Sequence, residues 1–234
     1  MQVTYIHHSG FLVETERFYY LFDYEAGNLP PMDADKPIFV LSSHSHGDHY
    51  NPKVFPLLKE AGMRHITAVL SDDIQAPTGL PVLSVAPEKE YSLGENLYLT
   101  TLRSTDLGVA FLIEDQGRLL YHAGDLNDWV WDEETEEYNE EMTRNYRRQI
   151  GLLAEKLRGR EIDTAFVVLD PRQERDYARG MCYFLENIPA NIVYPMHYWD
   201  DPGVMETFLT DHPQYQGQIQ NTEETAQRAE RGSL

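Results

Sequence analysis

HSHGDHY, residues 44–50, places three histidines and one aspartate within six consecutive positions, directly behind the apolar run KPIFVLSS (36–43). Imidazole is the commonest metal-binding side chain, and a polar loop that merely caps the next helix has no reason to concentrate it. IFVLSS reads as a strand buried on both faces. A loop at the end of such a strand has a rigid support from which to aim side chains. His44 and His46 are two apart, so in extended backbone they point to the same side. Gly47 permits a sharp turn, after which Asp48 and His49 face a second position. The segment therefore splits into two pairs of ligands, suited to two neighbouring metals.

The rest of the composition narrows the function classes. The chain has 234 residues, enough for one substantial core, and it reads as a single domain over 1–234. Lys and Arg number 19 against 39 Asp and Glu, a formal charge of −20. A nucleic-acid partner needs a basic surface that releases counterions, and an anionic membrane asks for the same, so neither is expected. The single cysteine, Cys182, forms no intrachain disulfide and reads as a small buried hydrophobe. MQVTYIHHSG at the start lacks a basic segment followed by an apolar one, so it is not a signal peptide. No apolar run approaches the roughly 20 residues that span a bilayer. A cytoplasmic location and a small-molecule substrate are the resulting expectations.

Along the chain, QVTYI, FLVET, FYYLFDY, ITAVLS, VLSVA, LYLTTL, VAFLIE and RLLYHA read as strands. NPKVFPLLKEAG (51–62) reads as a short helix with Asn51 as N-cap, Pro52 at the first position and Gly62 at the stop. Behind the acidic segment 132–141, Met142, Tyr146, Ile150, Leu153 and Leu157 mark an amphipathic helix that Gly159 ends. Strand TAFVVLD, helix YARGMCYFLENI and strand NIVYPM follow. The tail NTEETAQRAERGSL is polar and expected to be loosely held. Strands dominate the first half and strand–helix alternation the second, which fits one layered α/β domain.

HSHGDH matches the HxHxDH signature of the metallo-β-lactamase superfamily, and other segments extend the likeness. YHAGD (121–125) resembles the strand-end segment whose aspartate bridges two metals, implying Asp125. VYPMHY (193–198) resembles the late segment that delivers the last histidine, implying His197. IHHSGFLVET resembles the N-terminal strands of the L-ascorbate-6-phosphate-lactonase-like branch, with His8 at the position of a histidine near the site. The resemblance implies a four-layer αβ/βα sandwich with the site at one edge. It also implies a metal-dependent hydrolase carrying one or two divalent ions, zinc first and manganese as the alternative. His44 and His46 would serve the first metal, Asp48, His49 and His197 the second, and Asp125 both. Asp48 would orient or deprotonate the attacking water. His8 would donate to the substrate or stand behind the ligands. His122 reads as structural, His65 and His212 as surface residues, and His7 as facing away from the site.

One ligand departs from the pattern. The superfamily supplies a further histidine between the cluster and the bridging aspartate, and here the chain reads LRSTDLGVAFLIE (102–114). Asp106 stands near that position, as an oxygen ligand favouring harder metals or as a turn residue before Gly108. Water in its place, or a first site left vestigial, are the other outcomes. Trp129 and Trp131 behind Asp125 read either as a lid over the substrate or as a docked loop. Asp170 and Arg172 end a strand, where Arg172 would suit an anionic substrate or simply form a salt bridge. A metal-binding or ligand-sensing protein without turnover, and a nuclease, are the rival functions, the second opposed by the negative charge.

Overall fold

The computed structural model describes residues 1–225, which form two compact units: Met1–Ala86 with the segment from Thr222, and Pro87–Asn221. In the first unit, six strands lie side by side in chain order: β1 (Gln2–His7), β2 (Gly10–Glu14), β3 (Tyr19–Phe22), β4 (Ile38–Ser42), β5 (Ile66–Ser71) and β6 (Val82–Val85). The first three are antiparallel neighbours, and β3 through β6 run parallel. The parallel strand β4 is buried at all five residues, as its unbroken apolar sequence requires. Helix α1 (Val54–Glu60) lays Val54, Phe55 and Leu58 into a core with Leu21, Val40 and Ala68.

This helix starts two residues later than its sequence suggests. Asn51 is not the N-cap. Its Oδ1 accepts the Lys53 N–H (3.1 Å) and its Nδ2 donates to the Glu25 carbonyl (2.6 Å), so both ends of the amide close a turn rather than a helix. The shift puts Pro56 in the first helical turn, where the missing N–H has no intrahelical partner to lose. The tail is also better held than its polarity implies, as far as it is described. Thr222 and Thr225 are buried, and the Thr225 hydroxyl accepts the Tyr5 N–H (3.0 Å) on the edge strand β1. Residues 226–234 of that tail lie outside the described residues.

The second unit repeats the plan. Strands β7 (Glu90–Gly94), β8 (Leu97–Arg103), β9 (Val109–Asp115) and β10 (Arg118–His122) are antiparallel neighbours. β10, β11 (Ile162–Val168) and β12 (Ala190–Met196) then run parallel. Helix α2 (Glu136–Leu157) begins inside the acidic segment, because Thr135 accepts the Tyr138 N–H and Glu136 and Glu137 favour the positive end of the helix. Its buried stripe is Tyr146, Gln149, Ile150, Leu153 and Leu157, while Met142 is only half-buried. Arg158 (φ 52°) and Gly159 (φ 80°) turn the chain out of the helix. Helices α3 (Arg179–Asn187) and α4 (Gly203–Asp211) complete the unit. Two expectations are corrected here. Cys182 is half-buried with its Sγ 3.6 Å from His212 Nε2, and burial together with the charge of Glu186 pushes the thiol up to about 11. His212 is no open surface residue, since its ring packs 4.8 Å from that of Phe208.

In each sheet the parallel strands present their carboxyl ends along one edge, and the chemistry-bearing segments leave from those ends, save His8 after β1 and Asp106 after β8, which leave antiparallel strands. No helix among the described residues is long and apolar enough to cross a membrane.

Tyr121 gives a test of the second unit's core. Its ring stacks on Phe184 (5.4 Å between centroids), and its fully buried hydroxyl has no hydrogen-bond partner among the described residues. Removing an unsatisfied buried hydroxyl while keeping the ring relieves its desolvation penalty, so Tyr121→Phe is expected to stabilise the protein by about 1 kcal/mol. A rise in the urea midpoint at constant slope checks this.

Candidate metal centre

β3 and β4 are parallel with Phe22 opposite Leu41, so the residues just beyond the two strands meet. Asp23 follows β3 and is fully buried. Its Oδ1 accepts the Ser43 N–H (2.7 Å), and its Oδ2 accepts the Ser43 hydroxyl (2.7 Å) and pairs with His49 Nδ1 (2.7 Å). Ser43 Oγ also lies 2.9 Å from His44 Nδ1. Because the hydroxyl proton goes to Asp23, this oxygen is left to accept from His44. Both imidazoles therefore carry their proton on Nδ1 and present Nε2 as a lone-pair donor.

His44 Nε2 lies 3.0 Å from His46 Nδ1. His8, Asp48 and His49 each offer one ligand atom within 4.8 Å of the others, with His8 Nε2 3.7 Å from Asp48 Oδ2. His8 is buried in the turn between β1 and β2, while neighbouring His7 points outward to Glu25 (2.8 Å). Asp73, after β5, holds the cluster loop by accepting the Ser45 N–H (2.8 Å). Gly47 has no positive φ, and a Cβ built on it would meet nothing within 4 Å, so the turn does not require glycine.

The second unit builds a matching arrangement on β10, β11 and β12. Val168 pairs with Met196, so Asp170 and His197 leave neighbouring strand ends together. The buried Asp170 Oδ2 lies 3.0 Å from His197 Nδ1. His197 Nε2 is 3.4 Å from Asp125 Oδ1. Burial alone would raise the Asp170 carboxyl, but hydrogen bonds from His197 and Arg172 and the charge of His197 hold it down at about 2. Asp106 and Asp125 offer carboxylate oxygens within 4.8 Å of each other. Thr105 fixes that approach: its hydroxyl donates to the Asn127 carbonyl (2.6 Å) and accepts the Asn127 N–H (3.0 Å).

The tryptophan loop is docked, not an open lid. The Trp129 indole N–H donates to the Asp125 carbonyl (2.9 Å), and Asn127 Nδ2 donates to Gln173 Oε1 (2.7 Å). Arg179 pairs with the buried Asp128 (2.7 Å). A Cβ at Gly180 would fall 1.8 Å from Asn127 Oδ1, so α3 admits the loop only through glycine. Among the other histidines, His65 is exposed, and His122 is fully buried at the end of β10, accepting the Gly124 N–H on Nδ1 (3.1 Å).

Nine non-glycine described residues have positive φ, and four stand at these strand ends: His8 (52°), Asp23 (39°), His197 (65°) and Trp199 (53°). That conformation costs about 1–2 kcal/mol per residue, and its concentration here marks a site held in place by its surroundings. Asp23, Asp73 and Asp170 as supporting residues, and His8 as a candidate ligand, are roles that the motif did not disclose. The only sequence signal for the three aspartates is an acid directly after an apolar strand.

The Asp23 network is expected to separate stability from metal affinity. Asp23→Ala leaves Ser43 and His49 without their buried acceptor and is expected to cost about 2–4 kcal/mol in denaturant unfolding. Asp23→Asn keeps the shape but presents an N–H₂ group or a weaker acceptor to His49. Its main expected effect is a 10–100-fold loss of divalent-metal affinity, measured by competition with a chromogenic chelator.

No family model matches the chain, and no curated protein matches it either. Solved structures do. Igni18, a novel metallo hydrolase from the hyperthermophilic archaeon Ignicoccus hospitalis, superposes with a TM-score of 0.62 at 16% identity, over 93% of each chain. A proposed metal-dependent hydrolase from Parabacteroides distasonis gives 0.56 at 16% identity, over 93% of this chain and 90% of that one. CmlA, a diiron β-hydroxylase from Streptomyces venezuelae, gives 0.58 at 13% identity, over 92% of this chain and 51% of its own. These likenesses show the fold alone, a two-sheet α/β arrangement shared with metal-dependent enzymes.

Proposed function

We propose that the chain is a metal-dependent hydrolase acting on a small, anionic molecule with a lactone or phosphoester bond. The observation that carries the reading is the paired carboxylate–histidine contact. His49 and His197 each have Nδ1 held by a buried aspartate, at 2.7 Å and 3.0 Å, which turns Nε2 outward as a donor. Such carboxylate–histidine pairs are the usual support of metal ligands. The donor set fits a divalent cation: imidazole nitrogens with carboxylate oxygens suit zinc, and the added carboxylate of Asp106 shifts preference toward manganese. Two carboxylates as close as Asp106 and Asp125 repel each other, and a cation between them relieves that repulsion.

By the resemblance of the sequence motifs, His44, His46 and Asp106 would hold one cation, Asp48, His49 and His197 a second, with Asp125 a ligand to both. A divalent ion there supplies a Lewis acid for the scissile carbonyl or phosphoryl group and lowers the pKa of water from about 15.7 toward about 7. Asp48 is half-buried with Oδ2 3.7 Å from His8 Nε2 and 3.9 Å from His49 Nε2. It orients the attacking water and accepts its proton at Oδ2. His8 steadies that carboxylate or, when protonated, donates to the charge that develops on the substrate. The docked Trp129 covers one edge of His197 (5.5 Å between rings) and keeps water from it. The formal charge of −20 disfavours a polynucleotide substrate. The missing imidazole near Asp106 favours one rival, a metal-binding or ligand-sensing protein without turnover.

Elemental analysis of metal per chain separates the two, on wild type beside Asp106→Ala and His44→Ala. Two ions in wild type and one in each variant are expected, with turnover of lactone or phosphoester substrates abolished by chelation and restored by zinc or manganese. One ion, unchanged by either substitution, would leave Asp48, His49, Asp125 and His197 as its ligands. Absence of turnover in that protein would favour the sensor.

A further inference from the structure

Arg172 has a second use beyond its salt bridge. Its Nε lies 3.0 Å from both carboxylate oxygens of Asp170, and its Nη2 lies 2.5 Å from Oδ2. One edge of the guanidinium is thereby committed, and Nη1 has no protein partner among the described residues. The guanidinium carbon stands over two indoles, 4.4 Å from the ring centroid of Trp199 and 5.9 Å from that of Trp131. Trp131 stacks on Trp129 (5.8 Å, 3° between planes), and the Trp129 and Trp199 rings both meet His197 edge-on, at 5.5 and 5.7 Å. Trp199 is 43% exposed, and the Arg172 side chain is 48% exposed. A guanidinium fixed on one edge by a carboxylate and held close to aromatic rings loses little freedom when its remaining edge takes a ligand. In a chain of formal charge −20, an anionic substrate is repelled unless a local cation receives it.

We infer that Arg172, stacked on Trp199 and Trp131 beside His197, is the receptor for a carboxylate or phosphate group of the substrate, with the exposed indole of Trp199 packing against the substrate's apolar part. Arg172 is then a specificity-determining residue. The assignment rests on the hydrolase reading for the word substrate, but the binding it describes is measurable without turnover.

All three tryptophans of the chain, Trp129, Trp131 and Trp199, belong to this cluster, so intrinsic tryptophan fluorescence reports on it alone. The experiment titrates metal-loaded full-length protein with phenyl phosphate, benzoate and, as the neutral control, phenol, in wild type, Arg172→Gln and Arg172→Lys. Metal content is measured in parallel. A lost charge-assisted hydrogen bond corresponds to a roughly 10–100-fold weaker Kd. That loss is expected for phenyl phosphate and benzoate in Arg172→Gln, with phenol unchanged and metal content at the wild-type level. Arg172→Lys keeps the charge without the fork and is expected to recover part of the affinity. Unchanged anion binding in Arg172→Gln overturns the assignment. So does loss of metal together with anion binding, because Arg172 would then act only through Asp170 on His197. Anion binding through Arg172 in a protein that turns over no anionic ester or lactone overturns the hydrolase and leaves the receptor. Turnover of anionic substrates with a KM indifferent to Arg172→Gln overturns the receptor and leaves the hydrolase.

Discussion

The carboxylate of Asp23 decides which nitrogen carries the proton on two histidines at once. Directly it fixes His49, and through the Ser43 hydroxyl it fixes His44. An imidazole free to adopt either tautomer presents, for part of the time, a proton on the nitrogen whose lone pair would bind a cation. A buried charge with three hydrogen bonds removes that choice, and because the acceptor is fully buried the contacts are not diluted by water. Asp170 does the same for His197, with Arg172 neutralising the charge that burial would otherwise disfavour. Both aspartates owe their position to the register of parallel strands, so the proton arrangement is a property of the sheets as much as of the loops.

That dependence explains what could be read from the residues in order and what could not. The run into His44 shows strand, turn and converging ligands because all of its signals are local. Asp125 and His197 stand out because each follows a strand inside a recognisable segment. Asp23 carries no such mark: in FYYLFDY it is one acid between aromatics, and its role exists only once β3 lies beside β4. Asp170 showed only as an acid ending a strand, and His8 only through the likeness of its segment, because its approach to Asp48 depends on positions 40 residues apart meeting in the fold. Helix α1 failed at its start for a local reason, since asparagine before proline serves a turn as readily as a cap. The two readings of the tryptophan loop could not be separated by sequence, because docking depends on Gln173, Arg179 and the missing side chain of Gly180.

The absent histidine near Asp106 acquires a physical shape as well. Thr105 ties the turn 104–108 to the backbone at Asp125 and Asn127, which sets a carboxylate where the motif that the sequence resembles has an imidazole. An oxygen donor in place of nitrogen makes the set harder and more anionic. Under the proposed function, such an anionic ligand set would hold a cation more firmly but repel an anionic substrate more strongly, and the guanidinium proposed as its receptor would offset that repulsion.

The left-handed backbone at His8, Asp23, His197 and Trp199 bears on how this protein can be altered. Optimising a sequence for stability alone would favour glycine or asparagine at His8, His197 and Trp199, because either relaxes the backbone, whereas at Asp23 losing the buried acceptor costs more than the strain it relieves. Two of these three replacements would delete an imidazole of the candidate centre, and the third would remove the indole under Arg172. Variants selected for stability alone would therefore drift toward folded proteins stripped of these side chains, and the three positions are the ones to hold fixed in any such redesign.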